Sequence, residues 1–150
     1  MKIEIWGPAT WNFFHTIVEK IKEEHFNIIG PQVFQMIRRV CLNLPCPECS
    51  QHATAFLNRV NFSKIHSKDQ FKEMVCFFHN SVNQRKRKPM YPCSELAIYA
   101  DYNLIQVFNR FVATYHTRGN FKLLAESFQR KIVVQELKKW LSEHLQYFYQ

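Results

Sequence analysis

The chain has 150 residues, 47% of them apolar, enough for one domain with one sizeable core. Fourteen Phe stand against three Gly, which removes the turn chemistry that hairpin-rich folds require and disfavours an all-β architecture. The formal charge of +8 is spread along the chain; its one dense run, Arg85 to Lys88, suits a solvated helix end or a phosphate contact better than a nucleic-acid platform, and a nucleic-acid partner is disfavoured.

Residues 9 to 24 carry Trp11, Phe14, His15, Val18 and Ile21 at steps of three and four, which predicts an amphipathic helix after Gly7-Pro8. Gly30-Pro31 opens a second helix, whose stripe of Val33, Ile37, Val40, Cys41 and Leu44 ends at Pro45, because a proline biases its predecessor away from helix. Proline is favoured in a first helical turn, so Cys46-Pro47-Glu48-Cys49 begins a third helix that continues through Ala53, Phe56 and Leu57. A polar linker is expected over 58–67. Phe71, Met74, Val75, Phe78 and Val82 then mark a fourth helix, closed by the basic run and Pro89. Ser94 is the expected cap of a further helix bearing Leu104, Ile105, Phe108, Phe111, Val112 and Tyr115 and ending at Gly119. A last helix keeps Phe121, Leu124, Phe128, Val134, Leu137, Leu141, Leu145 and Phe148 in period. The reading is all-α, one domain over 1–150, without repeats or internal linkers. No apolar stretch approaches the about eighteen residues that span a bilayer, and the opening MKIEIWGPATW lacks the apolar region of a signal peptide, so a soluble, uncleaved chain without membrane contact is expected.

Five cysteines carry the chemistry, and spacing must decide what it is. A CxxC pair is a redox dithiol, half of a zinc site, or a coincidence. Placement at a helix start favours redox, since the N–H groups there stabilise a thiolate. Thioredoxin-like proteins place such a pair in a βαβ setting, but the flanks here are helical on both sides. Zinc would need two more ligands, and no second CxxC or HxxxH spacing supplies them; no metal is expected. A disulfide between Cys76 and Cys93 would tie the chain back onto the fourth helix, worth about 3 kcal/mol in the loop-entropy model. Cys41 is left over, on an apolar stripe that suits a buried core thiol.

Four segments in order resemble the Erv/ALR family of FAD-linked sulfhydryl oxidases. Trp6-Gly7-Pro8-Ala9-Thr10-Trp11 with His15 and Thr16 is similar to the family's opening GxxxWxxxH helix. Leu44-Pro45-Cys46-Pro47-Glu48-Cys49 is similar to its PCxxC site, most closely in the versions of large DNA viruses. Cys76-Phe77-Phe78-His79-Asn80-Ser81-Val82-Asn83, leading to Lys88-Pro89-Met90-Tyr91, resembles its CxxHNxVN and KPxF/Y flavin segment, and Cys93 completes its C-x16-C interval. The resemblance implies a four-helix bundle with a short fifth helix over residues 6–93, extended by C-terminal helices over 94–150, and usually a homodimer. It implies FAD as cofactor, with Gly7, Trp11, His15, His79, Asn83, Lys88 and Tyr91 as its contacts, and Cys76–Cys93 as the structural disulfide. Cys46 and Cys49 become the catalytic pair: Cys46 exchanges with substrate, Cys49 faces the flavin, and oxygen accepts the electrons as hydrogen peroxide. The shuttle dithiol carried by many members is missing, so a thioredoxin-like or other dithiol protein is expected to meet Cys46 directly. Lys86 and Arg87 replace a usual Leu-Gly, and Glu19 replaces a small or aromatic residue. The virus-like site implies a viral protein of host cytoplasm or virions.

Overall fold

The computed structural model describes residues 2–115 and 121–150, with side chains described from 125 onward in the second stretch. The described residues form helices α1 (Ile3–Lys20), α2 (Phe26–Cys41), α3 (Pro47–Asn58), α4 (Lys68–Arg85), α5 (Leu104–Tyr115) and α6 (Phe121–His144), with short 3-10 turns between several of them. The fold is all-α. The expected end of α5 at Gly119 and the side chains of Phe121 and Leu124 lie outside the described residues.

Several boundaries differ from the sequence reading, each for a local reason. The first helix begins at Ile3 rather than residue 9, and the second at Phe26 rather than at Gly30-Pro31. Pro8 and Pro31 both lie inside their helices, as the sixth residue of each. A proline there loses one ladder bond near a terminus that already carries orphan donors, and burial of the helix face outweighs the loss. Gly30 lies under the ring of Phe26: a Cβ there would meet Phe26 Cε2 at 2.8 Å. The segment 58–67 is more than a polar connection. Asn61 and Ser67 use their side chains as caps, and Phe62 stacks on Phe34 with ring centroids 4.9 Å apart.

The largest correction concerns residues 94–103. Ser94 does not open an α-helix; Cys93–Asp101 forms a 3-10 segment, and Asn103 caps α5, its Oδ1 accepting from the Gln106 N–H at 3.0 Å. In α6, Val134, Leu137 and Leu141 are buried but Phe128 is 64% exposed. That helix ends at His144, and Phe148 reaches the core from beyond it, pairing with Ile21 in an isolated bridge.

α1 lies at the centre, packing on α5, α4, the 3-10 segment and α2, while α6 packs on α2. One apolar cluster joins α1 to α5 through Phe13, Phe108 and Phe111, and continues into α6 through Val133, Val134 and Leu137. The Tyr115 hydroxyl, fully buried, donates to the Val40 carbonyl at 3.0 Å. The last turn of α5 is thereby tied to the last turn of α2, just ahead of the loop that carries Cys46.

Candidate active site

The dithiol is built by local chain chemistry. Cys46 is the N-cap of α3, with extended backbone, and Pro47 follows in the first turn, where its missing N–H costs nothing. The Cys49 N–H donates to Cys46 Sγ at 3.2 Å, so the sulfur does the work of a capping oxygen. Ser50 Oγ accepts from the Leu44 N–H at 2.8 Å and fastens the entering loop. Cys46 and Cys49 are joined by a disulfide with Cα atoms 5.2 Å apart. Cys49 is buried and Cys46 partly exposed.

Beside the disulfide lies a cavity of about 390 Å³, within the range that holds cofactor-sized ligands. α1 supplies Gly7 and Trp11, α3 supplies Cys49 and Ala53, and α4 supplies His79 and Asn83. Cys41 and Leu44 close one side, while Arg85, Lys86 and Lys88 stand at the end of α4. One region of the wall is thus aromatic and sulfur-bearing and another cationic. Trp11 stacks on His79 at 4.2 Å and 10° between planes, and His79 stacks in turn on Tyr91 at 4.8 Å. A Cβ on Gly7 would meet nothing closer than 3.8 Å, so protein packing alone does not require glycine there. Asn83, 9% exposed, lines the cavity and has no side-chain partner among the described residues.

His15 is not in the cavity wall; it stands behind it, with Nε2 2.9 Å from Nδ1 of His79. One proton serves that contact, so one imidazole donates and the other accepts. Burial, with the neighbouring His79, holds the His15 pKa down to about 3; burial, with the Lys88 charge, holds His79 down to about 4. Both rings are neutral at pH 7 and able to stack.

Three residues that sequence reasoning did not place in the site belong to it, and two of them, Asn80 and Tyr99, hold it together. Asn80 accepts from the Tyr91 N–H at 2.6 Å and donates to the Tyr91 carbonyl at 3.1 Å. It therefore fixes the irregular stretch carrying Lys88 and Tyr91 against α4. Tyr99 bonds the Tyr91 hydroxyl at 2.8 Å and stacks on His15 at 4.8 Å. Cys41, buried as a core thiol would be, also faces the cavity, and burial pushes its thiol pKa far up. Asn80 was signalled by its place one turn after Cys76; Tyr99 had no local signal. Cys76 and Cys93 are joined by a second disulfide, with Cα atoms 6.0 Å apart. Among the described residues no group of His, Cys, Asp and Glu side chains is arranged to hold a metal ion.

The fold and site define a class: a helical protein with a disulfide at a helix start, opening onto an aromatic cavity with a cationic end. The family model of the Erv1/Alr family matches residues 8–103. The chain belongs to the Erv1/Alr family. It is 31% identical over 94 residues to the putative FAD-linked sulfhydryl oxidase 347L of Invertebrate iridescent virus 6, covering 59% of this chain and 85% of that protein. It is 28% identical over 90 residues to an FAD-linked sulfhydryl oxidase of African swine fever virus, covering 60% of this chain and 75% of that protein. The FAD-linked sulfhydryl oxidase ERV1 of Arabidopsis thaliana is 30% identical over 90 residues, and the match spans only 47% of its length. No solved structure matches. Residues 104–150 lie beyond the family match, and α5 and α6 belong to that part.

Proposed function

We propose that this chain is an FAD-linked sulfhydryl oxidase, which forms disulfides in substrate dithiols through Cys46 and Cys49 and passes the electrons to oxygen, giving hydrogen peroxide. The observation that carries this reading is the Cys46–Cys49 disulfide at the start of α3, with Cys49 in the wall of the cavity. The cavity fits the cofactor in its chemistry. Trp11 and Tyr91 offer aromatic area, with His79 stacked between them, and Gly7 adds no side chain to the wall. Asn83 has an amide to spare, and Lys88, with Arg85 and Lys86, offers positive charge to a diphosphate. His15 acts through His79 as a positioning residue. When bound, FAD supplies the two-electron acceptor that restores the disulfide and delivers electrons to oxygen.

The protein's own steps are thiol–disulfide exchange. A substrate thiolate attacks Cys46 Sγ; the Cys46–Cys49 bond breaks and Cys49 leaves as a thiolate, while the Cys49 N–H, 3.2 Å from Cys46 Sγ, stands ready to stabilise the Cys46 thiolate released next. The second substrate thiolate attacks the substrate sulfur of the mixed disulfide, and Cys46 leaves. One electron pair has moved: the substrate is a disulfide and the chain holds two reduced cysteines. With Cys76 bonded to Cys93 and Cys41 buried, the chain has no second redox pair, so the substrate meets Cys46 itself. A thioredoxin-like or other dithiol protein is the natural partner. Residues 6–93 make the cofactor-binding core, 94–150 enlarge it, and two chains pair as a homodimer by family likeness. No described helix is long and apolar enough to cross a membrane. The viral relatives support a viral protein acting in host cytoplasm or virions.

The test is a visible spectrum of the purified protein followed by oxygen uptake on adding dithiothreitol. Flavin bands and dithiol-dependent uptake are expected, and Cys49→Ser will lose the uptake while keeping the bands. A colourless protein, inactive even with added FAD, would sink the reading.

A further inference from the structure

A second depression, of about 160 Å³, runs along the outer junction of α3 and α4 and shares Phe78, Val82 and Arg85 with the cavity wall. His52, Arg59 and Arg85 line it with Phe56 and Ser81, and its lining contains no carboxylate. The two helices run antiparallel there: Glu48 meets Arg85 at 3.6 Å, and further along Phe56 stacks on Phe78 at 5.0 Å. The groove therefore begins near the dithiol end of α3 and extends to Arg59 at its other end. Glu48 already offsets Arg85 and lies 3.8 Å from His52. Arg59 is exposed and makes no ion pair among the described residues.

We propose that this groove docks an extended acidic segment of the substrate protein, with Arg59 as the residue that selects it; the proposal rests on the oxidase reading. Along a helix the rise is about 1.5 Å per residue, which places Arg59 about 20 Å beyond Cys46. An extended chain covers that span in about six residues. The favoured substrate carries Asp or Glu about six residues from its reacting cysteine, with an apolar residue between to meet Phe56. A stacked aromatic and a single unpaired guanidinium suit such a segment better than a nucleic-acid backbone, which needs a row of cations.

The test uses the flavin-loaded full chain and two peptides that differ only in Glu or Lys at that distance. Binding is read by fluorescence anisotropy with the peptide cysteines replaced by serine, so no turnover is needed. The Glu peptide binds about tenfold tighter than the Lys peptide, and Arg59→Glu abolishes or inverts the preference. With the cysteine-containing peptides, Arg59→Gln raises KM for the Glu peptide and leaves kcat, relative to oxidation of dithiothreitol. Equal binding of the two peptides, a preference that survives Arg59→Glu, or tighter binding of a short single-stranded oligonucleotide than of the Glu peptide would overturn the proposal. Failure of the wild-type protein to oxidise dithiothreitol would instead overturn the oxidase reading, and the anisotropy distinguishes the two failures.

Discussion

Acidifying the cofactor-free protein from pH 7 to pH 5 will cost about 3 kcal/mol of stability through His15 and His79 alone. Their pKa values fall from 6.5 in an open chain to about 3 and about 4 in the folded protein. Well above pH 6.5 neither state holds these protons and the pair adds no pH dependence. Below it the unfolded chain takes them up and the folded protein does not, so stability falls until the folded values are reached. At pH 5, 1.5 units below the open-chain value, His15 contributes a loss of about 2 kcal/mol, at 1.36 kcal/mol per unit. His79 is only partly buried, and solvent screening reduces its share to about 1 kcal/mol. Urea unfolding followed by circular dichroism at pH 7, 6 and 5, at constant ionic strength, measures the sum. Replacing His79 by Gln will leave roughly the His15 share, about 2 kcal/mol. A wild-type stability that is flat from pH 7 to 5 would show that the rings are not held neutral by burial.

Two further outcomes follow from single contacts. Arg87 has φ 57° at the end of α4, in the left-handed region where glycine carries no Cβ penalty, and the Lys88 N–H returns to the Asn83 carbonyl at 2.8 Å around it. Arg87→Gly will therefore raise stability by about 1 kcal/mol, or a few degrees in Tm by calorimetry. Tyr115→Phe will cost about 1 kcal/mol in urea unfolding, because the Val40 carbonyl keeps a second donor, the Asn43 N–H at 3.1 Å. A loss above about 3 kcal/mol would mean that the hydroxyl supports more than this bond.

What the sequence determined by itself is what depends on neighbours a few residues apart. Helix periodicity, Pro47 in the first turn and the CxxC spacing are local, and they suffice for an all-α chain with a dithiol at a helix start. Four ordered motifs suffice for the family, since their residues must share helix faces to serve one ligand. Boundaries were harder. Pro8 and Pro31 look like helix starts, but burial of Trp6 and of Ile29 draws the helices past them. Ser94 looks like a cap, yet the chain after the Cys76–Cys93 bond is committed to the 3-10 segment that brings Tyr99 to His15. Only the tertiary structure set His15 behind His79 rather than beside it, turned Cys41 towards the cavity, and joined Tyr115 to Val40, a contact spanning 75 residues of sequence. Such pairings depend on how whole helices pack against each other, and no periodicity within one helix encodes the rotation or height at which its neighbour arrives.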